Sequence, residues 1–226
     1  MPSESANRPG TMTPGPATVP PGTPPDPAAV LLDMDGTLVD TEGLWWQAVA
    51  AVAEPLGRTL TPADHPHVHG HTVEDVAAHL GDPGLTGPLT DAFAARVARD
   101  LTVLPGATEL LSGLAAGAIP TALVTASPRR IVELVLPRLG HAFDLVIADE
   151  DTERSKPWPD PYLKAARLLG AAPSRCVAIE DSPTGIAAAR AAGCRVLVVS
   201  PERGLPTLAR VRAYLSSYGE SLRKRA

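Results

Sequence analysis

Long apolar runs, cysteines and basic tracts are all scarce in this sequence. No apolar stretch approaches the roughly 18 residues that a membrane-spanning helix needs, so we expect no membrane partner. The only cysteines, Cys176 and Cys194, lie among apolar residues at a spacing that fits no metal or redox motif. We therefore expect two small buried side chains in a reducing compartment, and no disulfide framework. The first 27 residues contain no apolar segment of a secretory signal, which predicts a cytoplasmic location.

Positive charge is also in short supply. The formal net charge is −5. The basic residues cluster only at Arg223, Lys224 and Arg225, which we interpret as a solvated helix end. Binding to nucleic acid requires a basic surface, so we expect no nucleic-acid partner. An acidic protein needs a local positive charge to bind any anionic ligand, and a metal ion is the first candidate to supply it.

The pattern of apolar residues indicates an α/β protein. Residues 1–27 are rich in Pro, Gly, Thr and Ser, which predicts a disordered tail. Short apolar runs typical of buried parallel strands follow at 28–32, 121–124, 145–148, 176–179 and 195–199. Helical stretches separate most of them, at 107–116, 129–139, 161–169 and 184–192. Such alternation predicts a doubly wound, Rossmann-like parallel sheet.

One segment interrupts this alternation. Residues 43 to about 103 show no convincing strand, but contain amphipathic stretches at 44–56, 73–80 and 89–101. We predict an α-helical cap at 43–103, inserted into an α/β core formed by 28–42 and 104–226. An insertion after the first strand lies above the carboxyl edge of the sheet, where open α/β sheets bind ligands. The cap is therefore placed to act as a lid.

Carboxylates follow two of the predicted strands. Asp33 and Asp35 come directly after the first apolar run, and two residues apart on a strand they point to the same side. Glu180 and Asp181 end the fourth strand. If the two strands are neighbours, four carboxylates converge at one edge, which is unfavourable unless a cation lies among them. Oxygen ligands of this kind suit Mg²⁺.

Two weaker signals lie at the same edge. Thr125 and the backbone amides that follow it end the second strand, and such groups can hold phosphate oxygens. Lys156 lies in a Pro-rich loop after the third strand. A helix-capping threonine and a surface lysine are common, so both gain weight only from their position beside the acidic cluster.

Four segments in order carry a family resemblance: DMDGTLVD at 33–40, VTAS at 124–127, SKPWPDPY at 155–162 and EDSPTGI at 180–186. They resemble the four motifs of haloacid dehalogenase superfamily hydrolases, over about residues 28–203. The helical insertion resembles the small cap of the phosphonatase and β-phosphoglucomutase branch. The resemblance implies a magnesium-dependent phosphatase acting on a small phosphorylated metabolite, such as a sugar or polyol monophosphate.

The resemblance also implies a role for each matching residue. Asp33 is the expected nucleophile that forms an aspartyl-phosphate, and Asp35 the expected general acid and base. The expected magnesium ligands are Asp33, the Asp35 backbone carbonyl, Asp181 and Glu180. The expected phosphate-binding groups are Thr125, the Ala126 amide and Lys156.

Alternatives within and beyond the family differ in their predicted side chains. A β-phosphoglucomutase-like mutase has an Arg three residues after its cap-loop glycine, whereas this chain has Val73 there, which cannot bind a second phosphate. Phosphonatase chemistry requires a cap lysine, and no lysine precedes Lys156. A non-catalytic phosphometabolite-binding protein would typically have lost one of the motif carboxylates or the lysine, and all are present.

The predicted cap also holds four histidines at 65–71, namely His65, His67, His69 and His71. A zinc site, a contact to substrate and an ordinary surface loop are all compatible with this pattern. Trp45 and Trp46 are interpreted as packing residues, although one of them could line the substrate pocket. We expect a monomer.

Overall fold

The computed structural model describes residues 27–200 and 202–214. The predictions for the tail at 1–26 and for Arg223, Lys224 and Arg225 fall outside these residues. Across the described part of the chain, no helix combines the length and the apolar character that a membrane crossing requires.

A five-stranded parallel sheet forms the centre of the molecule. In chain order the described strands are β1 (Ala29–Leu32), β2 (Val39–Asp40), β3 (Thr102–Val103), β4 (Thr121–Val124), β5 (Leu145–Ile147), β6 (Cys176–Glu180) and β7 (Arg195–Val198). The strand order of the large sheet is β5-β4-β1-β6-β7. Because β1 is central and pairs with both β4 and β6, the residues after these three strands meet at one edge.

Helices cover both faces of this sheet. In chain order they are α1 (Glu42–Ala53), α2 (His65–Val68), α3 (Val73–Leu80), α4 (Thr86–Asp100), α5 (Ala107–Ala116), α6 (Arg129–Leu139), α7 (Asp160–Leu168) and α8 (Pro183–Ala191). Val30 and Leu32 of β1 belong to the apolar cluster that contains α5 and α6, whereas Leu31 belongs to the cluster that contains α7 and α8. The alternation of side chains along a strand explains this division. The predicted doubly wound α/β fold is confirmed.

A helical insertion, α1 to α4, lies between β2 and β3. These two short strands pair antiparallel, with Val39 opposite Val103, and bring both ends of the insertion together. α4 packs against α1, where the ring centroids of Trp45 and Phe93 are 5.0 Å apart, and also against α6 of the core. The division into a core and a cap domain remains a prediction, although the insertion places helices where the cap is expected.

Local sequence explains the bounds of the helices in the insertion. The side chain of Thr72 accepts a hydrogen bond from the Asp75 amide (3.1 Å), and the Asp75 carboxylate accepts one from the Thr72 amide (3.4 Å), so α3 begins with a capping box. Gly81, with φ +89°, ends it. α1 ends at Ala53, earlier than predicted, because Pro55 follows in a separate 3₁₀ turn. The sequence does not predict β2 and β3, since two residues are too few to show alternation.

Candidate active site

The turn after β1 places two aspartates at the carboxyl edge of the sheet. The Asp33 amide donates to the Ile179 carbonyl of β6 (3.0 Å), which fixes the start of the turn. Gly36 adopts φ +74°, and a Cβ at this position would lie 2.1 Å from Asp181 Oδ2. Only glycine combines that backbone conformation with such a close approach. The Gly36 in the first motif therefore allows the β1 turn to pack directly against Asp181.

The end of β6 completes an acidic cluster. One carboxylate oxygen from each of Asp33, Glu180 and Asp181 lies within 4.8 Å of the others. The Thr37 hydroxyl donates to Asp181 Oδ1 (2.9 Å) and orients that carboxylate. Asp33 and Glu180 are buried, so water screens their charges poorly. Three of the four carboxylates that the sequence predicts at this edge therefore converge, whereas the side chain of Asp35 does not belong to this group.

Lys156 provides a positive charge within this cluster. Its buried Nζ lies 2.5 Å from Asp33 Oδ1 and 2.6 Å from Glu180 Oε1. Burial alone would lower the pKa of Lys156, but the two ion pairs outweigh burial and the pKa is raised. The lysine is therefore fully charged at neutral pH, and it is fixed between the two carboxylates.

Tyr162 is a further member of the site, and the sequence analysis missed it. Its hydroxyl donates to Glu180 Oε1 (2.7 Å), and burial together with Glu180 raises the pKa of the phenol, which keeps it protonated. The other Glu180 oxygen accepts bonds from the Asp181 and Ser182 amides and from the Ser182 hydroxyl, at 3.1 to 3.3 Å. The one available signal was the position of Tyr162 at the end of the third motif.

Lys156 alone does not balance the negative charge of the three carboxylates in the cluster. Burial and the neighbouring Glu180 raise the pKa of Asp33 well above its usual value, against the effect of Lys156. Burial and Glu180 also raise the pKa of Asp181, to about 6. Among the described residues of the cluster, one lysine faces three carboxylates. A hard divalent cation with oxygen ligands fits this donor set, because it would compensate the remaining negative charge.

Asp35 accepts three hydrogen bonds from hydroxyl groups. Thr41 donates to its Oδ1 (2.7 Å), whereas Thr125 (2.9 Å) and Ser127 (2.8 Å) donate to its Oδ2. Thr125 Oγ1 also accepts from the Ser127 amide (2.9 Å), so the loop after β4 closes around the carboxylate, with Ala126 between the two donors. Thr41 and Ser127 were not predicted as site residues, because isolated hydroxyls carry little signal in a sequence.

A cavity opens beside these groups. Its sheet side is lined by Asp33, Asp35, Thr125, Ala126, Ser127, Pro128, Lys156 and Ser182. Its other side comes from the segment 41–93, namely Thr41, Glu42, Trp45, His69, Gly70, His71, Val73 and Phe93. Every predicted nucleophile, acid–base and phosphate-binding residue thus lines one cavity, and Glu180 and Asp181 lie directly behind it. The role of each residue remains a prediction.

The histidines at 65–71 make ring and charge contacts, among them a stack of His65 on His69 with centroids 4.7 Å apart. His65 stacks on Trp46, with centroids 4.1 Å apart, and His67 stacks on His79 (4.5 Å). His69 pairs with Glu42, and His71 with Asp75. Among the described residues, the side chains close enough to share a metal ion include the acidic cluster and none of these histidines. The arrangement gives no support to a zinc site.

Comparisons with known proteins agree with this geometry. The family model described as haloacid dehalogenase-like hydrolase matches residues 27–193. Hexitol phosphatase A of Escherichia coli is 34% identical over 201 residues, 83% of this chain and 89% of that protein. Hexitol phosphatase B of the same organism is 34% identical over 188 residues, 77% of this chain and 84% of that protein. The crystal structure of CbbY from Rhodobacter sphaeroides in complex with phosphate has a TM-score of 0.70 and 26% identity, covering 82% of this chain and 96% of that one.

Proposed function

Because this chain belongs to the haloacid dehalogenase-like hydrolases, we propose that it is a phosphatase that hydrolyses a small sugar or polyol monophosphate, with Asp33 as nucleophile. The observation that carries the proposal is the position of Asp33. Its carboxylate lies 2.5 Å from Lys156 and within reach of Glu180 and Asp181, and it lines the cavity together with Asp35. This arrangement suits attack on an anionic phosphoryl group that positive charge holds in place.

The first chemical step transfers the phosphoryl group to Asp33. A carboxylate oxygen of Asp33 attacks phosphorus, the bond from phosphorus to the ester oxygen breaks, and Asp35 protonates the departing oxygen. In the second step Asp35 accepts a proton from water, and the water oxygen attacks the phosphorus of the aspartyl-phosphate. Inorganic phosphate leaves, and both aspartates return to their initial states.

Thr125, Ala126 and Lys156 would hold the phosphoryl oxygens during both steps. The Thr125 hydroxyl has one proton to donate, and in this structure it donates to Asp35 Oδ2. Binding of phosphate at Thr125 must therefore weaken its bond to Asp35.

Asp33, Asp181 and the Asp35 carbonyl would hold Mg²⁺. Glu180 is the fourth candidate ligand, and it shares its carboxylate with Lys156 and Tyr162. When bound, Mg²⁺ offsets the repulsion between the carboxylates and an anionic substrate, and polarises a phosphoryl oxygen. Tyr162 and Lys156 orient Glu180 whether or not it contacts the ion.

Phosphate release from a panel of small monophosphates, with and without Mg²⁺, tests the proposal. We expect magnesium-dependent release by the wild type, and a loss of at least about a thousandfold in Asp33→Asn, which keeps the side-chain shape but removes the nucleophile. Asp40→Asn is the matched control, because Asp40 is exposed in β2 and outside the cavity. No release of phosphate from any compound by folded wild-type protein would contradict the proposal.

The mutase alternative has less support. Val73 lines the cavity where a second phosphate would need a cation, and Lys156 is the only lysine or arginine among the described residues that line it. A mutase must bind a bisphosphate, so it needs positive charge at both ends of the substrate. Conversion of β-glucose 1-phosphate to glucose 6-phosphate, with little release of inorganic phosphate, would favour the mutase instead.

A further inference from the structure

We propose that His69 determines substrate specificity by accepting a hydrogen bond from a hydroxyl group on the leaving part of the substrate. The inference rests on the proposed phosphatase function and names the residue that would recognise the hydroxyls of its substrate. It assigns the enzyme to monophosphates whose leaving group is uncharged and carries hydroxyls.

The backbone on both sides of His69 is hydrogen-bonded, to α2 of the insertion on one side and to α8 of the core on the other. The His69 amide donates to the His65 carbonyl (3.0 Å), at the end of α2. The next residue, Gly70, adopts φ +71°, and its carbonyl accepts a hydrogen bond from the Thr184 hydroxyl of α8 (2.8 Å). Thr184 lies three residues after Asp181, so this bond ties the loop of His69 to the segment that follows the acidic cluster, and His69 lines the cavity.

The imidazole ring of His69 has a fixed orientation. Its Nδ1 lies 3.3 Å from Glu42 Oε1. Its face stacks on His65 at a centroid distance of 4.7 Å, and His65 in turn stacks on Trp46 at 4.1 Å. A ring held by a carboxylate beside one nitrogen and by stacking on its face keeps one orientation, so the position of its other nitrogen is fixed as well.

The other ring nitrogen, Nε2, is buried and has no hydrogen-bond partner among the described residues. The Nδ1 of His69 lies 3.3 Å from Glu42 Oε1, and an ionised carboxylate can only accept, so the proton of a neutral ring belongs on Nδ1. In the neutral ring this leaves a lone pair on Nε2, which is an acceptor. A buried acceptor without a partner is costly, and a substrate hydroxyl would remove that cost. A phosphate or carboxylate group has no proton to donate at neutral pH.

The remaining cavity residues agree with an uncharged leaving group. Trp45, Val73 and Phe93 offer apolar surface, and the Trp45 indole N–H is already occupied by the Val68 carbonyl (3.0 Å). Glu42 adds a negative charge, which repels a second anionic group. A polyol or sugar offers both the C–H surface and the hydroxyl that these residues match.

Two substrates of equal chain length test the inference. Sorbitol 6-phosphate carries five free hydroxyls on its six-carbon chain, whereas hexyl phosphate has a chain of the same length and no free hydroxyl. We expect the wild type to prefer sorbitol 6-phosphate, and His69→Phe, which keeps a ring to stack on His65, to reduce that preference in kcat/KM roughly tenfold. The change should lie mainly in KM, because the hydroxyl contact exists before the chemical step.

The variants separate a specific contact from general damage. His69→Gln, whose amide oxygen can accept a hydrogen bond, should retain more of the preference than His69→Phe. His67→Phe is the control, because His67 stacks on His79 outside the cavity, and it should leave the preference unchanged. If His69→Phe leaves the preference unchanged, even while kcat/KM falls equally on both substrates, the role of His69 is overturned. If the wild type releases phosphate from neither compound nor from the wider panel, the phosphatase function itself fails.

Discussion

Lys156 lies between two buried carboxylates, and its charge governs both of them. Asp33 and Glu180 each lie within 2.6 Å of its Nζ. Desolvation raises the pKa of Asp33, and Lys156 is the neighbour that opposes this effect. A nucleophilic carboxylate must be ionised, so Lys156 favours the reactive form of Asp33 and is also placed to hold the incoming phosphoryl oxygens.

Substitution of this lysine should therefore affect both stability and activity. In Lys156→Met two buried carboxylates lose their cation, which costs about 3–5 kcal/mol of unfolding free energy in the absence of metal. Loss of one charge that stabilises the transferring phosphoryl group should lower kcat by about 10²–10³-fold. Urea unfolding in EDTA and steady-state phosphate release measure the two effects.

Lys164→Met provides the control for this prediction. Lys164, on α7, donates to the Asp151 carbonyl and lies outside the cavity. Its loss should cost no more than about 1 kcal/mol, as expected for one partly buried hydrogen bond, and leave kcat unchanged. Equal effects of the two substitutions would contradict the central place given to Lys156.

At the scale of elements, a hydrogen bond joins the loop after α2 to the start of α8. Thr184 Oγ1 donates a hydrogen bond to the Gly70 carbonyl. A Cβ on Gly70 would lie 2.7 Å from Thr184 Oγ1 and 3.1 Å from Ser182 Cβ. At Gly70 the insertion thus lies too close to the core for a larger side chain. The loop that carries His69 depends on this contact for its position.

Gly70→Ala should displace the insertion from the core. The added Cβ clashes with Thr184, and the positive φ adds about 1–2 kcal/mol of strain. We expect KM for the preferred monophosphate to rise by about tenfold or more, because the cavity no longer closes around the leaving group. Steady-state kinetics measure this effect.

Gly57→Ala isolates the clash from the backbone strain. Gly57 has nearly the same φ, +72°, but a Cβ there meets nothing within 4 Å. Its replacement should lower the unfolding free energy by a similar amount of strain while KM stays at the wild-type value. A parallel rise of KM in both variants would show that contact with Thr184 is unimportant.

On the scale of the whole molecule, the parallel sheet assembles the site from distant segments. Lys156 meets Asp33 across 123 residues of sequence, and Thr37 meets Asp181 across 144. β1 is hydrogen-bonded to both β4 and β6, so the residues that follow these strands share one edge. This convergence concentrates negative charge in a buried site, so the unfolding free energy of the whole protein should depend on pH.

The metal-free protein should become less stable as pH rises from about 4 to about 6. Burial and Glu180 raise the pKa of Asp181 to about 6 from a usual value of 3.8. In this window the folded protein binds more protons than the unfolded chain, so the unfolding free energy falls with increasing pH. Asp181→Asn cannot titrate. The stability of the wild type relative to this variant should therefore drop on the order of 2 kcal/mol between pH 4 and 7.

Urea unfolding of both proteins in EDTA, at several pH values, measures that difference. Addition of Mg²⁺ at pH 7 should stabilise the wild type more than Asp181→Asn, since the variant lacks one of the carboxylates that would bind the ion. A difference between the two proteins that stays constant with pH would show that Asp181 titrates alike in the folded and unfolded states.

The sequence by itself determined the sheet and the chemistry of its edge. The strand that ends before Thr125 and the helices at 107–116 and 129–139 have the predicted bounds. These predictions succeed because apolar runs and helical periodicity are local properties. The family could likewise be predicted from short local motifs, of which the one containing Asp33 and Asp35 is the clearest. The match to the family model confirms the predicted family.

Only the tertiary structure decided which side chains meet. Tyr162 is hydrogen-bonded to Glu180, and Ser127 to Asp35. His69 lines the cavity, whereas His67 does not. Nothing in the spacing of these residues predicts such contacts. The physical reason is that hydroxyl and imidazole groups act within about 3 Å of a partner. A distance that short between remote residues depends on strand register and helix packing, which no local pattern of residues encodes.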